Sequence, residues 1–376
     1  MKSAWLVLVG VLFAAPAAGQ TTRTADIVAE VRAAIAAHDL DRADVIFAKG
    51  RADHGNSPEV IEALSWLGRG ALAEGQLDRA DRYAREAQQL AVASLASRKL
   101  DSEPHLATAL GAGIEVQAHV QGQRGQRTEA VYFLQRELAT YKDTSIHKRI
   151  QKNINLLSLE GRPAPGLDRS EFIGPPPPSL DELKGKVLVL FFWAHWCPDC
   201  KIQGPILAEL LAKYQTRGLV VVAPTQRFGY VAGGTSAGPD EELRYIRQVR
   251  DKYYGFLADL PVPVSEANHK LYGVSSTPTV VVVDRRGIVK LYHPGRMSKE
   301  ELEQQLLPLL VPSSAEASNP NVGSSVDTRP LHRDVPPFNG RARRPAFRPQ
   351  AVHSLATLRE FIQGSCFRES IDTGLI

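Results

Sequence analysis

The stretch from Val187 to Cys200, VLVLFFWAHWCPDC, constrains this chain more than any other. Val187 to Trp193 is an unbroken apolar run rich in β-branched and aromatic residues, the pattern of a strand covered on both faces. It leads directly into Ala194-His195-Trp196-Cys197-Pro198-Asp199-Cys200. A helix is predicted from Pro198 to Arg217, with Ile202, Ile206, Leu207, Leu210 and Leu211 on its apolar side. The Cys-x-x-Cys pair therefore falls at a strand-to-helix junction. Two cysteines three apart on a first helical turn bring their sulfurs within reach of a small-ring disulfide. Cys197 lies at the helix N-terminus, where free N–H groups and the helix dipole favour a thiolate. Cys200 lies one turn inside and is expected to be the more buried. This gives Cys197 the attacking role and Cys200 the resolving role in thiol–disulfide exchange.

A Cys-x-x-Cys can also be half of a zinc site. The chain has only 3 Cys, the third being the distant Cys366, and no His follows closely, so no metal is expected, and exchange through the two cysteines needs no organic cofactor. Downstream, Leu219 to Ala223 reads as a second buried strand and Glu241 to Lys252 as a helix. Thr279 to Val283 and Ile288 to Tyr292 read as a strand pair about the turn Asp284-Arg285-Arg286-Gly287. Ser298 to Leu310 reads as a closing helix, with Ser298 and Glu301 as a capping box. Strands alternating with helices indicate an α/β sheet.

In this order the segments strongly resemble the thioredoxin-like superfamily, in particular its exported TlpA/ResA-type thiol–disulfide oxidoreductases. The resemblance rests on Gly185 to Cys200, on Pro205 in the helix, on Tyr272-Gly273-Val274-Ser275-Ser276-Thr277-Pro278-Thr279, and on the hairpin Val283 to Val289. It covers about residues 161–311. It implies a central mixed sheet and a cis Thr277–Pro278 bond facing the disulfide. Backbone groups at Thr277 would pair with a substrate strand, and Pro278 would keep competing groups off the sulfurs. Trp196 would shield the dithiol and offer an apolar docking surface. Pro198 and Asp199 complete the shell between the cysteines.

Two departures from the pattern stand out. Phe191 occupies the place where many thioredoxins carry a buried acid in the central strand. Gln203 occupies the place where the TlpA/ResA type often carries a Glu. A carboxylate there could take the resolving thiol's proton; Phe191 cannot, and Gln203 can at most orient a water. Asp199 is expected to be exposed, where its charge would oppose a Cys197 thiolate. His195 would favour that thiolate if protonated, but is expected as a solvated residue at the strand exit. The Gly-rich stretch from Ala223 to Asp240 lacks any nucleotide pattern. It either borders the active-site edge or forms a plain surface loop.

The rest of the chain carries no second chemistry. Lys2, the apolar run Ala4 to Ala15 and the small residues that follow describe a signal peptide over residues 1–19. The protein is therefore expected to be exported, periplasmic or secreted, or membrane-tethered if that segment is retained. Residues 22–158 show helical spacing and an internal repeat: Leu40-Asp41-Arg42-Ala43-Asp44 returns as Leu77-Asp78-Arg79-Ala80-Asp81, 37 residues on. With Trp66-Leu67-Gly68, Gly75, Tyr83-Ala84 and Ala87, this resembles the tetratricopeptide (TPR) pattern. A weaker third unit contains Leu110-Gly111, Gly125 and Glu129 to Leu134. A plain helical bundle is the alternative.

The expected fold class is thus a helical-repeat, TPR-like domain (22–158), a Pro-rich linker and domain entry (159–180), and a thioredoxin-like α/β domain (181–311). A disordered tail (312–376) follows. Six Arg against one Asp between Arg329 and Arg348 account for the net charge of +4, leaving the remainder close to −1 and no folded nucleic-acid face. The expected activity is exchange of disulfides with client proteins through Cys197 and Cys200, as a reductase re-reduced by an upstream electron donor. A protein partner is expected for the helical repeats. A thiol peroxidase of the same fold, or a TPR-type binding module with an accessory redox domain, are the rival readings.

Overall fold

The structure is a computed structural model that describes residues 19–311. Residues 1–18 of the expected leader, the tail 312–376 and, with it, Cys366 lie outside them. The chain divides after Asn153 into two compact units.

The first unit is built from helical hairpins. Helix α1 (Gly19–Ala36) pairs with α2 (Leu40–His54), α3 (Pro58–Ala73) with α4 (Leu77–Ser94), and α5 (Pro104–Gln123) with α6 (Arg127–Thr140); α7 (His147–Ser158) follows. Local chemistry sets the ends. The Asp39 carboxylate accepts from Arg42 N at 2.9 Å, and Ser57 caps α3 with Pro58 in its first turn. Gly75 (φ +74°) and Gly125 (φ +81°) supply the left-handed turns of the second and third hairpins. Every residue of α3 from Val60 to Leu72 is buried, because α1, α2, α4 and α5 surround it. Helix α4 presents an alanine stripe, Ala80, Ala84, Ala87 and Ala91, and this lets its neighbours approach closely.

The two copies of the internal repeat open α2 and α4, equivalent helices of successive hairpins. Arg79 of the second copy reaches back to Asp41 at 3.1 Å and to Asp44 of the first, and Tyr83 Oη donates to Asp44 at 2.6 Å. Arg124, at the next turn, pairs in the same way with Asp78 and Asp81. The repeated acidic pair therefore meets an arginine from the following hairpin. The stretched third unit has a local cause: two short 3₁₀ turns, Leu95–Ser97 and Leu100–Ser102, lie between α4 and α5.

Between α5 and α7 lies a buried ionic cluster. The Glu115 carboxylate accepts from Arg149 Nε at 3.0 Å, Lys152 Nζ at 3.1 Å and Asn153 Nδ2 at 3.1 Å. Burial alone would raise its pKa; the charges of Lys152 and Arg69 overcome that and hold it at about 2.

The second unit holds a four-stranded mixed sheet. Strand β1 (Phe172–Ile173) pairs antiparallel with the short β4 (Val262–Pro263). The main sheet runs in the order β3 (Leu219–Val222), β2 (Val187–Phe192), β5 (Thr279–Val283), β6 (Val289–Pro294). Only β2 and β3 are parallel. All of β2 is buried, as its unbroken apolar run requires. Val187, Val189 and Phe191 pack with α8 (Pro198–Tyr214), α9 (Pro239–Tyr253) and α11 (Lys299–Leu310). Leu188, Leu190 and Phe192 face the other way, onto Leu183, Tyr272 and Tyr292. Helix α10 (Glu266–Leu271) precedes β5, and Ser298 and Glu301 form the expected capping box. Residues 161–164 are hydrogen-bonded to the β5–β6 hairpin, through Gly161 N to Val289 O and Ala164 N to Gly287 O, both 2.9 Å. Ile202, expected on the apolar side of α8, is 46% exposed: it lies opposite the stripe of Leu207 and Leu210 that meets the sheet.

Candidate active site

The end of β2 is pinned before the cysteines begin. Trp193 N and Nε1 donate to Pro224 O and Ala223 O, and Thr225 Oγ1 donates to Trp193 O at 2.8 Å. The chain then turns sharply, closed by Cys197 N donating to Ala194 O at 3.2 Å. His195 and Trp196 are the inner residues of that turn. Cys197 follows as the N-cap of α8, with Pro198 opening the helix.

Cys197 and Cys200 form a disulfide with Cα atoms 5.3 Å apart. Cys197 Sγ accepts a hydrogen bond from Cys200 N at 3.0 Å and lies 3.3 Å from the carbonyl oxygen of Thr277. The sulfur thus occupies the acceptor position that Ser or Asp fills in ordinary helix caps, where a thiolate would meet an unpaired amide and the positive end of the helix. Both cysteines are buried, Cys197 at 2% and Cys200 at 0%, so the expected contrast in their burial is nearly absent. The turn 194–197 and the Thr277 carbonyl cover Cys197 as closely as the helix covers Cys200. The Thr277–Pro278 bond is cis. Pro278 is buried, and the Thr279 hydroxyl donates to Ser276 O at 2.8 Å, bracing the turn.

The surrounding shell departs from expectation at several residues. Trp196 is 40% exposed with its ring edge-on to Phe228, centroids 5.6 Å apart. Asp199 is half-buried rather than exposed, since it sits in the tight first turn of α8. Gln203 is fully buried and its Oε1 accepts from Met297 N at 2.8 Å, tying α8 to the segment before α11. Phe191 packs edge-on to Tyr254, whose hydroxyl is buried in the same apolar cluster as Cys200. Burial pushes that hydroxyl's pKa above the usual tyrosine range.

The largest correction concerns His195. It is 1% exposed, not solvated. Its Nε2 lies 3.2 Å from Glu242 Oε1, and its ring stands edge-on among Phe228, Tyr230 and Tyr245. Burial lowers its pKa, against the opposing pull of Glu242. Glu242, from the first turn of α9, is itself buried and also accepts from Phe228 N at 2.5 Å and Gly229 N at 2.9 Å. These bonds fold residues 225–238 over the active-site turn, so this segment borders the site. Tyr230 and Ser236 pair within it, and Arg227 anchors it to Glu171 through two hydrogen bonds. Sequence reasoning missed Glu242 and Tyr245 because they lie more than 40 residues from the cysteines. The only signal was an acidic run, Asp240 to Glu242, opening a helix whose inward face was unknown. Among the described residues, no group of three or more His, Cys, Asp or Glu side chains is arranged to hold a metal.

A helix-capping disulfide at the end of the central strand of such a sheet, with a cis-proline turn against its outer sulfur, defines a thioredoxin-like thiol–disulfide oxidoreductase. Comparison with known proteins agrees. A family model described as Redoxin matches residues 173–306. The thioredoxin-like protein YneN of Bacillus subtilis is 33% identical over 150 residues, which cover 39% of this chain and 78% of that protein. The thiol:disulfide interchange protein DsbE of Xylella fastidiosa is 25% identical over 154 residues, or 41% of this chain and 70% of that one. The thiol-disulfide oxidoreductase ResA of Bacillus thuringiensis is 29% identical over 129 residues, 34% of this chain and 65% of ResA. The chain belongs to the thioredoxin-like family.

Proposed function

We propose that this protein is an exported disulfide reductase of the TlpA/ResA type that acts on client proteins. The Cys197 thiolate attacks a client disulfide, forming a mixed disulfide and releasing one client thiol. Cys200 then attacks Cys197 Sγ, releases the second client thiol and leaves Cys197–Cys200 oxidised. A dithiol donor restores the reduced pair. The observation that carries this reading is the position of Cys197 Sγ, capped by Cys200 N and set 3.3 Å from Thr277 O. In the mixed disulfide, the backbone at Thr277 receives the client strand. Trp196, with Pro198 and Asp199, forms the apolar and polar rim it rests on; Gln203 and Pro278 hold the two sides of the site in place.

The exported location rests on residues 1–19 of the sequence. No helix among the described residues is long and apolar enough to cross a membrane. The successive hairpins α1 to α6, linked by the repeated Asp–Arg pairs, support a TPR-like array that docks a protein partner.

The test is turnover of a protein disulfide such as insulin with dithiothreitol as donor. The wild type accelerates reduction, and Cys197→Ser and Cys200→Ser each abolish the acceleration. Unchanged acceleration in either variant would overturn the reading.

A further inference from the structure

Building on that reading, we propose that reduction of the Cys197–Cys200 disulfide is coupled to uptake of a proton by the imidazole of His195, held in the buried His195–Glu242 pair. Three observations lead there. First, His195 is an inner residue of the turn whose closing amide belongs to Cys197. Two residues of chain span at most about 7 Å between Cα atoms, and Phe228 and Tyr245, whose rings flank the imidazole, pack against the same buried cluster as Cys197. Second, His195 is 1% exposed, with Nε2 on Glu242 and with Nδ1 buried and unpartnered. Third, neither Phe191 nor Gln203 supplies an ionisable group, so neither of those two positions can respond to a change of charge at the sulfurs.

The disulfide is neutral; its reduction places a thiolate at the buried Cys197. In the oxidised protein, desolvation keeps His195 below its usual range. Glu242 does not reverse this, because both its oxygens already accept backbone N–H groups from Phe228 and Gly229. A new negative charge in this poorly hydrated site draws a proton to the imidazole. The other groups around the pair fix the balance. From α9 come Glu242 and Tyr245, and from the loop come Tyr230 and Arg227, the latter acting on Glu242. From α8 come Lys201, whose charge opposes uptake, and Asp199.

The step balances as follows. The disulfide takes two electrons from a pair of donor thiols, and the S–S bond breaks. Cys200 Sγ takes one proton, His195 takes a second, and Cys197 remains a thiolate. Without His195 only the Cys200 proton is taken up.

The test is equilibration of the full chain with reduced and oxidised glutathione between about pH 6 and pH 8, for wild type and His195→Asn. Glutathione brings two protons with its two electrons, so the wild-type equilibrium constant for reduction stays flat with pH, whereas the variant releases one proton to solvent and its constant rises about tenfold per pH unit. In parallel, the His195 ring proton resonances are titrated in the oxidised and reduced wild type, a readout that needs no folded variant. The reduced protein is expected to show the imidazole titrating at clearly higher pH. Glu242→Gln keeps the additional uptake but shifts it to lower pH. Parallel pH dependences for wild type and His195→Asn, or an imidazole that titrates identically in both redox states, would overturn the proposal while leaving the reductase reading intact. Failure of the wild type to equilibrate with glutathione at all would instead count against that reading.

Discussion

Glu242 Oε1 stands 3.2 Å from His195 Nε2, and each residue is 1% exposed. The same carboxylate holds Phe228 N and Gly229 N. One side chain therefore joins α9, the loop 225–238 and the turn that carries Cys197. Glu242→Ala leaves two loop amides and an imidazole without their acceptor. At about 1–3 kcal/mol for each group left unpaired, these three together cost the variant at least about 3 kcal/mol of stability. Urea unfolding measures this, and proteolysis should open first within residues 228–237. A variant that unfolds at the wild-type urea concentration, with the loop equally resistant, would contradict the assignment.

Glu115 makes the helical unit acid-sensitive. Its folded pKa of about 2 lies below the unfolded value of about 4.3. Its contribution is therefore fully present above the unfolded value and is lost as pH falls through the folded one. Glu115→Gln removes the charge on which Arg149 and Lys152 converge and costs about 3–5 kcal/mol near neutral pH. Followed by circular dichroism, the gap between variant and wild type should narrow from about pH 5 downward. A gap that stays constant to pH 2 would rule this out.

Two helical glycines should respond in opposite directions. A Cβ at Gly113 in α5 would lie 2.8 Å from the Ala84 carbonyl oxygen of α4, a backbone atom that cannot step aside. Gly113→Ala gains about 1 kcal/mol of helix propensity but pays an overpacking cost of about 1–3 kcal/mol, so it destabilises on balance. At Gly68 the nearest atom to a new Cβ is 3.5 Å away, ordinary contact. Gly68→Ala should therefore stabilise by about 0.4–1 kcal/mol. Thermal melts of the two variants decide this, and the same sign in both would show that the packing argument fails.

Where the physics is local, the sequence was a good guide. The apolar run of β2, the cysteine spacing, the Ser298 capping box and the paired hairpins α3–α4 and α5–α6 follow from short-range pattern. The reach of the two cysteines followed from their spacing, whereas the cis Thr277–Pro278 turn followed only from the family resemblance. What stayed hidden depends on contacts distant in sequence. His195 looked solvated because nothing near it in the chain reveals Glu242 or the rings of Phe228, Tyr230 and Tyr245. The repeated Leu-Asp-Arg-Ala-Asp was visible as a repeat, but its role was not. Only superposed hairpins bring Arg79 to Asp44 and Arg124 to Asp78. Ile202 fits the helical period of α8 yet faces outward, because Leu207 and Leu210 define the stripe that meets the sheet.

The central claim is that Cys197 attacks and Cys200 resolves. It is tested most directly by mass spectrometry of the Cys200→Ser protein after exposure to a disulfide-bonded protein substrate. The account predicts a stable mixed disulfide joined at Cys197, and none when Cys197→Ser is treated in the same way. A Cys200→Ser protein that traps nothing, or a Cys197→Ser protein that traps substrate at Cys200 equally well, would contradict it.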